Sequence, residues 1–422
     1  MRIGLQTWGS EGDIQPFTAL AAGLVKAGHT VTLVVSSTIG QTYDDHASRF
    51  GYRLVCSGNL PKATPEQAEW AWRHMIRIRN PLKQLDLVTK YTFDPLVERM
   101  YAAATELCAE NDAVVGYFFA FPLRVAALKA GVPFATLNVV RHCLPSAQIP
   151  PPGILSLGPW SYGIGWRMLR KRINRIMLPR VNALLAREGL PQDSDVLSQS
   201  WAADKLNLIA VSPQICQTPP DWEARHQVCG FLNSPASGMM DPFPAGLEDF
   251  LSAGSPPVYV TFGSMMIESP AFLDEVAELW TKAIRRVGCR AILQLPWGKF
   301  PELRADPNFF VVKRAPYKQI FPRCAMVVHH GGAGTTQSAL LAGKPSLVVA
   351  HLCDQFFTEL ERVGVAGPTL MRKGLNPKQL AAGITRVLAR PDLTQRAIEL
   401  GAKMSEENGV ATAVQLLEKH FS

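Results

Sequence analysis

Short apolar runs alternate along the chain with longer stretches of helical spacing, and the alternation occurs twice. Residues 2–7, 31–35, 113–117, 133–138 and 207–211 are largely apolar runs of strand length, with shorter ones at 54–55 and near Val228. Runs without polar alternation fit strands buried on both faces of a parallel sheet. Between them one helix is expected to open at Pro16, where a first turn tolerates proline, and to close at Gly28. Another is expected over 63–100, and a third ends at Gly131. Residues 141–165, with the proline run 150–152, read as looser chain, followed by a strongly basic helix. Residues 233–246 (NSPASGMMDPFPAG) have the composition of a linker. The pattern then restarts, with strands at 258–262, 291–295, 309–312, 326–329 and 346–350 and a helix over 271–287. This predicts the α/β class: two doubly wound parallel-sheet domains facing across a cleft, residues 1–232 and 247–405. Ligands of such sheets bind beyond the carboxyl ends of the strands.

Composition narrows the picture without changing it. A chain of 422 residues suits two domains with large cores. No apolar run reaches membrane-spanning length, and the chain enters its first strand without the pattern of a signal peptide. The eight cysteines are scattered, with no CxxC pair, which points to a reducing compartment and away from structural zinc. A cytoplasmic protein is expected. The formal charge of +8 suits nucleic acid, anionic membrane or phosphorylated ligands; no nucleic-acid module is visible, so nucleic acid is not expected as a partner.

The chemistry concentrates in residues 326–355, MVVHHGGAGTTQSALLAGKPSLVVAHLCDQ. A strand runs into a turn carrying Gly331, Gly332 and Gly334, then into a helix expected to open at Thr335 and Thr336. Glycines let a backbone approach a ligand closely, and the unpaired N–H groups of a helix start make an anion site, commonly for a diphosphate. A tight strand-to-helix crossover would need the same small residues. At the other end Gly9 and Gly12 form no GxGxxG, and Asp13 would repel a pyrophosphate, which argues against a dehydrogenase.

Residues 315–355, APYKQIFPRCAMVVHHGGAGTTQSALLAGKPSLVVAHLCDQ, resemble the donor-binding signature of the family-1 nucleotide-sugar-dependent glycosyltransferases. The likeness is nearest to the sterol glucosyltransferases and the bacterial antibiotic (macrolide) glycosyltransferases. GSEGDIQP, residues 9–16, is similar to the GSxGDxxP of the same group. Residues 61–200 carry no such motif. The resemblance implies the GT-B fold, with the last helix (406–422) crossing back to the first domain.

On the donor side, His329 matches the family's phosphate-contacting histidine. Gly331 shapes the turn, and Gly332, Ala333, Gly334 and Thr335 would present backbone donors. Ser264 matches a further donor contact, or is a helix cap. Arg314 and Ala315, before Pro316, stand where relatives stack and hydrogen-bond the nucleobase. Gln337 stands where plant relatives grip a ribose, and its neutral amide leaves ribose and deoxyribose donors open. Asp354 and Gln355 match the sugar-binding pair, with an N-cap as the plain alternative for Asp354. No metal is expected, nor any cofactor beyond the co-substrate. A D-x-D at Asp193 and Asp195 lies in a polar turn and reads as capping.

On the acceptor side, Asp13 matches the base of the antibiotic-type relatives; it could equally cap the first helix. Gly116 replaces the aspartate that orients a histidine base in plant relatives. Ser10, Trp70 and His142 are the acceptor-side candidates, His142 also as a reserve base. The implied activity is an inverting transfer of a hexose, foremost from UDP-glucose with dTDP-sugars open, to a hydroxyl of a lipophilic small molecule. An epimerase on the same fold would need no acceptor pocket, against which the aromatic-rich 63–91 counts; a non-catalytic nucleotide-sugar-binding protein is the third reading. Residues 167–180, RMLRKRINRIMLPR, carry Arg167, Arg170, Lys171, Arg172, Arg175 and Arg180 and no acidic residue. They form either a solvated surface helix or a peripheral contact with anionic membrane.

Overall fold

The computed structural model describes residues 1–38, 40, 43–60, 64–78, 80–152, 157–233, 243–263, 269–296, 299–351 and 357–421. By internal contacts the chain divides into two units. Unit 1 comprises Met1–Lys62, Asn80–Ser234 and Asn408–Ser422, and unit 2 comprises Ala63–Arg79 and Pro235–Glu407.

Unit 1 is built on β1 (Arg2–Gly9), β2 (Thr30–Ser37), β3 (Arg53–Asn59), β4 (Ala113–Tyr117), β5 (Phe134–Asn138), β6 (Leu206–Ile209) and β7 (His226–Val228). They form a 7-stranded sheet ordered β3-β2-β1-β4-β5-β6-β7, and every pairing is parallel. β1, β2 and β4 are almost wholly buried, as strands covered on both faces must be. The order reverses between β1 and β4, so the carboxyl ends of those two strands flank the switch point of the sheet. The last helix, Gly409–Phe421, packs on the first through a close approach: a Cβ at Gly23 would meet Val410 at 2.2 Å.

Unit 2 is built on β8 (Val258–Thr261), β9 (Ala291–Gln294), β10 (Phe309–Val312), β11 (Met326–His329), β12 (Ser346–Ala350) and β13 (Leu370–Met371). The order is β10-β9-β8-β11-β12-β13 and the pairings are again parallel. One face is covered by a large apolar cluster around Phe262, Trp280 and Ile284, the other by a smaller one around Tyr259, Ile320 and Phe321.

Three elements differ from the sequence expectation. The first helix is Glu11–Lys26 rather than one opening at Pro16, so Pro16 lies inside it and Asp13 is helical rather than in a preceding loop. The expected helix 63–100 is broken into Pro65–Arg77, Pro81–Val88, a π-turn at Thr89–Phe93, a short turn at Asp94–Leu96 and Val97–Glu110. Both breaks fall at prolines, Pro81 and Pro95, which lack the N–H a continuing helix needs. The third difference is the domain division. Residues 65–77, expected in the domain 1–232, group with unit 2. Ser269 donates to the Glu69 carboxylate, and Arg73 bridges Glu69 at 2.7 Å and Glu275 at 2.8 Å. Glu275 also holds Arg372 at 2.7 Å. Most of the expected linker 233–246 lies outside the described residues; the last helix, expected over 406–422 to return to the first domain, groups with unit 1 from Asn408.

Candidate functional site

In unit 2 the glycine turn joins β11 to the helix Ala333–Leu341. Its three glycines have three separate reasons. Gly331 has φ +91°, a left-handed backbone that favours glycine. A Cβ on Gly332 would meet Nε2 of His330 at 2.3 Å, and one on Gly263 would meet the same ring at 2.7 Å. The His330 ring is therefore seated between two glycines. Only Gly334 faces open space, with nothing within 4 Å of a Cβ placed there. The glycine of the turn that leaves room for a ligand is thus Gly334, while Gly332 serves a neighbouring ring.

The helix opens at Ala333, two residues before the expected Thr335, because Thr336 N–H closes the first turn on the Gly332 carbonyl at 3.0 Å. The N-cap is Gly332, which has no side chain to accept from the first N–H groups. Among the described residues the N–H groups of Ala333, Gly334 and Thr335, at the positive end of the helix dipole, have no side-chain cap and are placed to meet an anion. His329 completes this arrangement. Its Nδ1 accepts from Gly331 N–H at 3.0 Å, so in the neutral ring the proton sits on Nε2. That Nε2 is buried without a partner among the described residues. Burial first, and then the neighbouring His330, push the His329 pKa down to about 3; burial alone brings His330 to about 4. His351, packed at 4.5 Å against Phe262, is held well below its usual value by burial, His330 and Arg372. All three rings are neutral donors at physiological pH.

At the ends of β8 and β9, Gln294 Oε1 accepts from Thr261 at 2.8 Å, Tyr317 at 2.8 Å and Tyr259 at 3.2 Å. This polar cluster was not expected from the sequence, since none of its residues forms a motif. It ties the chain after β10 to the sheet. Arg314 is exposed there and Ala315 is buried in the core beneath it. Gln337 is buried on the helix Ala333–Leu341. Ser264, Asp354 and Gln355 lie outside the described residues.

In unit 1 the switch point holds Asp13. Gly9 ends β1 at φ +134°, and a Cβ there would meet Asp13 Oδ2 at 2.4 Å, so glycine is what lets the carboxylate tuck under the strand end. Oδ2 accepts from Ser10 N–H at 2.9 Å and Ser10 Oγ at 3.1 Å. Oδ1 accepts from the Tyr117 hydroxyl at 3.0 Å. Burial raises the Asp13 pKa above the ordinary carboxylate value, and the hydrogen bonds from Ser10 and Tyr117 offset part of that rise. The carboxylate caps its own helix and is held desolvated and oriented at the strand end. Tyr117 escaped the sequence reading, which stopped at Gly116. Gly116 lies within β4, where a Cβ would press on Phe134 at 3.0 Å and Leu123 at 3.2 Å. The polar residue that reaches Asp13 is the next one along the strand.

Beside Asp13 lies an aromatic cluster that carries no sequence signature. Trp8 stacks on Phe119 at 5.4 Å and meets Phe93 edge-on at 5.1 Å; Trp201 meets Phe118 at 5.2 Å and Phe119 at 5.8 Å. Phe118 touches Tyr117 at 4.8 Å. Trp201 Nε1 is buried without an acceptor among the described residues.

The structure brings Ser10 to Asp13 within unit 1. Trp70 is 64% exposed on the helix Pro65–Arg77 in unit 2, stacked on His74 at 5.2 Å. His142 sits in the turn Arg141–Cys143, and its side chain lies outside the described residues. The D-x-D carboxylates serve the fold. Asp193 pairs with Arg124 at 2.8 Å and accepts from Ser200 at 2.7 Å, and Asp195 caps the turn at Val196–Ser200 through Ser198.

Comparison with known proteins places the whole chain among glycosyltransferases. Residues 279–419 match the C-terminal domain of the erythromycin biosynthesis protein CIII-like family. A sterol 3-beta-glucosyltransferase of Arabidopsis thaliana is 26% identical over all of this chain and 68% of its own length. Glycosyltransferase GtfE of Amycolatopsis orientalis is 31% identical over 99% of this chain and 97% of its own. Among solved structures, the glycotransferase of kitacinnamycin superposes with a TM-score of 0.70 at 19% identity, over 100% of this chain and 99% of that one. With a desolvated aspartate at one switch point, a glycine turn opening a helix in the other sheet and relatives along its whole length, the chain belongs to the family-1 glycosyltransferases and has their GT-B fold.

Proposed function

We propose that the protein is an inverting, metal-independent glycosyltransferase that moves a hexose, foremost glucose from UDP-glucose, to a hydroxyl of a lipophilic small molecule. The observation that carries the reading is the set of uncommitted donors in unit 2. Among the described residues, the N–H groups of Ala333, Gly334 and Thr335 stand at a helix start whose N-cap glycine has no side chain to accept from them, and the Nε2–H of His329, the residue before the turn, has no partner. Such a set binds a diphosphate and stabilises the charge it gains on leaving, without rearranging at the moment of reaction.

In this reading the acceptor hydroxyl gives its proton to Asp13 as its oxygen attacks the anomeric carbon. The electron pair of the breaking C–O bond leaves with the nucleoside diphosphate. Oδ1 of Asp13 receives one hydrogen bond, from Tyr117, so a lone pair remains for the acceptor. The raised pKa of Asp13 makes it a better proton acceptor than a solvated aspartate. The aromatic cluster around Trp8, Phe119 and Trp201 supports an apolar acceptor, and similar proteins are named for sterols and for erythromycin biosynthesis.

The test is incubation with radiolabelled UDP-glucose or dTDP-glucose and a panel of sterols and polyketide aglycones, with the product anomer read by NMR. A β-glucoside from an α-linked donor is expected. Retention of configuration, sugar interconversion without acceptor, or nucleotide binding with no transfer would each overturn the proposal.

A further inference from the structure

The helix Tyr162–Arg187 has two apolar faces, and only one of them is used. Trp166, Leu169, Ile173 and Met177 recur every three or four residues and are buried in unit 1. Opposite them runs a second line. Trp160, in the turn Pro159–Ser161 that leads into the helix, is 70% exposed; Ile164 is 45% and Met168 48% exposed. Their four-residue spacing sets them in a row. Further along the same outward face the row becomes basic. Arg167 and Arg172 flank it and Lys171 and Arg175 continue it, all four exposed. The other two cations of the segment are engaged: Arg170 lies 3.6 Å from Asp195 and Arg180 lies 3.0 Å from Asp94. Among the described residues Arg167, Lys171, Arg172 and Arg175 form no ion pair.

We infer that this end of the helix is a docking surface for an anionic lipid bilayer. An exposed apolar row headed by tryptophan, with lysine and arginine beside it and no acidic residue, has the make-up of a helix lying in a membrane interface. The unpaired cations complement a negative lipid surface. They equally oppose a second copy of the chain, because a two-fold contact would set the four charges against their own counterparts. Arg170, which the sequence would group with the others, serves the fold through Asp195 and is not part of the surface.

Docking on a bilayer is read without turnover and separately from glycosyl transfer. Sedimentation with vesicles of phosphatidylcholine alone or with phosphatidylserine, at 0.05 M and 0.5 M salt (about 14 and 4 Å of screening length), measures it directly. The protein should pellet with the anionic vesicles at low salt and far less at high salt. Each cation near such a surface is worth about five-fold in partitioning, so R167Q/K171Q/R172Q/R175Q should lower binding by roughly several hundred-fold. The apolar variant W160S/I164S/M168S should lower it at least about ten-fold, with far-UV circular dichroism unchanged because these side chains are on the surface. Replacing four exposed lysines elsewhere, Lys26, Lys378, Lys403 and Lys419, by glutamine removes equal charge and should leave binding nearly intact. Three outcomes would overturn the proposal: no pelleting with anionic vesicles at low salt, the control variant losing as much as the first, or self-association in sedimentation velocity that W160S/I164S/M168S abolishes while vesicles are ignored.

Discussion

Replacing Tyr117 by Phe removes the hydrogen bond that, among the described residues, ties Asp13 to β4. The ring keeps its contacts with Phe17 at 6.5 Å and Phe118 at 4.8 Å, so packing is preserved and only the hydroxyl at 3.0 Å from Oδ1 is lost. A hydrogen bond to a charged group is worth about 1.5–3 kcal/mol. The bond favours the charged form, so its loss moves the Asp13 proton equilibrium about ten- to a hundred-fold toward the acid. The folded carboxyl already lies above its ordinary pKa through burial, and the substitution carries it further in the same direction. A rate that needs the carboxylate must then fall off at a higher pH than in the parent protein. The measurement is kcat/KM for the acceptor against pH at saturating donor, for the parent, Y117F and D13N. The acid limb of Y117F should move to higher pH while its alkaline plateau stays within a few-fold of the parent. Asp13→Asn should lower the plateau on the order of 10²–10⁴-fold and remove the limb, while nucleotide binding persists. Superimposable acid limbs, or a uniform loss in Y117F at every pH, would refute the argument and reduce Tyr117 to packing.

Three further outcomes are expected. His329→Ala should weaken UDP and dTDP binding in calorimetry by about 1.5–3 kcal/mol, through loss of the Nε2–H donor; unchanged affinity for both would remove His329 from the site. Unit 2 should lose stability in acid. His329 and His330, held neutral with folded pKa values about 3 and 4, contribute stability that is complete above the unfolded value near 6.5 and declines as the pH falls toward 4. Denaturant melts should show a decline of roughly 1.4 kcal/mol per pH unit for each ring, and a smaller slope in His330→Gln. Arg124→Met should destabilise unit 1 by about 3–5 kcal/mol, because it leaves the buried Asp193 carboxylate unpaired. A melt within 1 kcal/mol of the parent would show that water enters to pair it.

Much of the site was legible because it rests on local sequence. Strands such as β4, β10, β11 and β12 announce themselves as short apolar runs, and the restart of that pattern after residue 246 gave two parallel sheets. The glycine turn was readable for the same reason: strand, glycines and helix start are contiguous in the chain. Asp13, just beyond the first strand, was readable as a cap of the first helix, which it is.

What the sequence could not decide depends on residues far apart in the chain. Gly332 reads as a ligand contact until the fold places the His330 ring against it and Gly263 on the ring's other side. Tyr117 is 104 residues from Asp13, and only the adjacency of β1 and β4 joins them. The helix Pro65–Arg77 lies within the stretch of sequence that builds the first sheet. Glu69 and Arg73 nonetheless bind it to Ser269 and Glu275, roughly 200 residues away. In helix Tyr162–Arg187 the 3.6-residue period shows that some face is apolar, whereas which apolar residues stay exposed is set by how much of the helix its neighbours cover. Periodicity and turn chemistry act over a few residues and are written in the chain; pairing, burial and a carboxylate's pKa depend on neighbours that only the tertiary fold supplies.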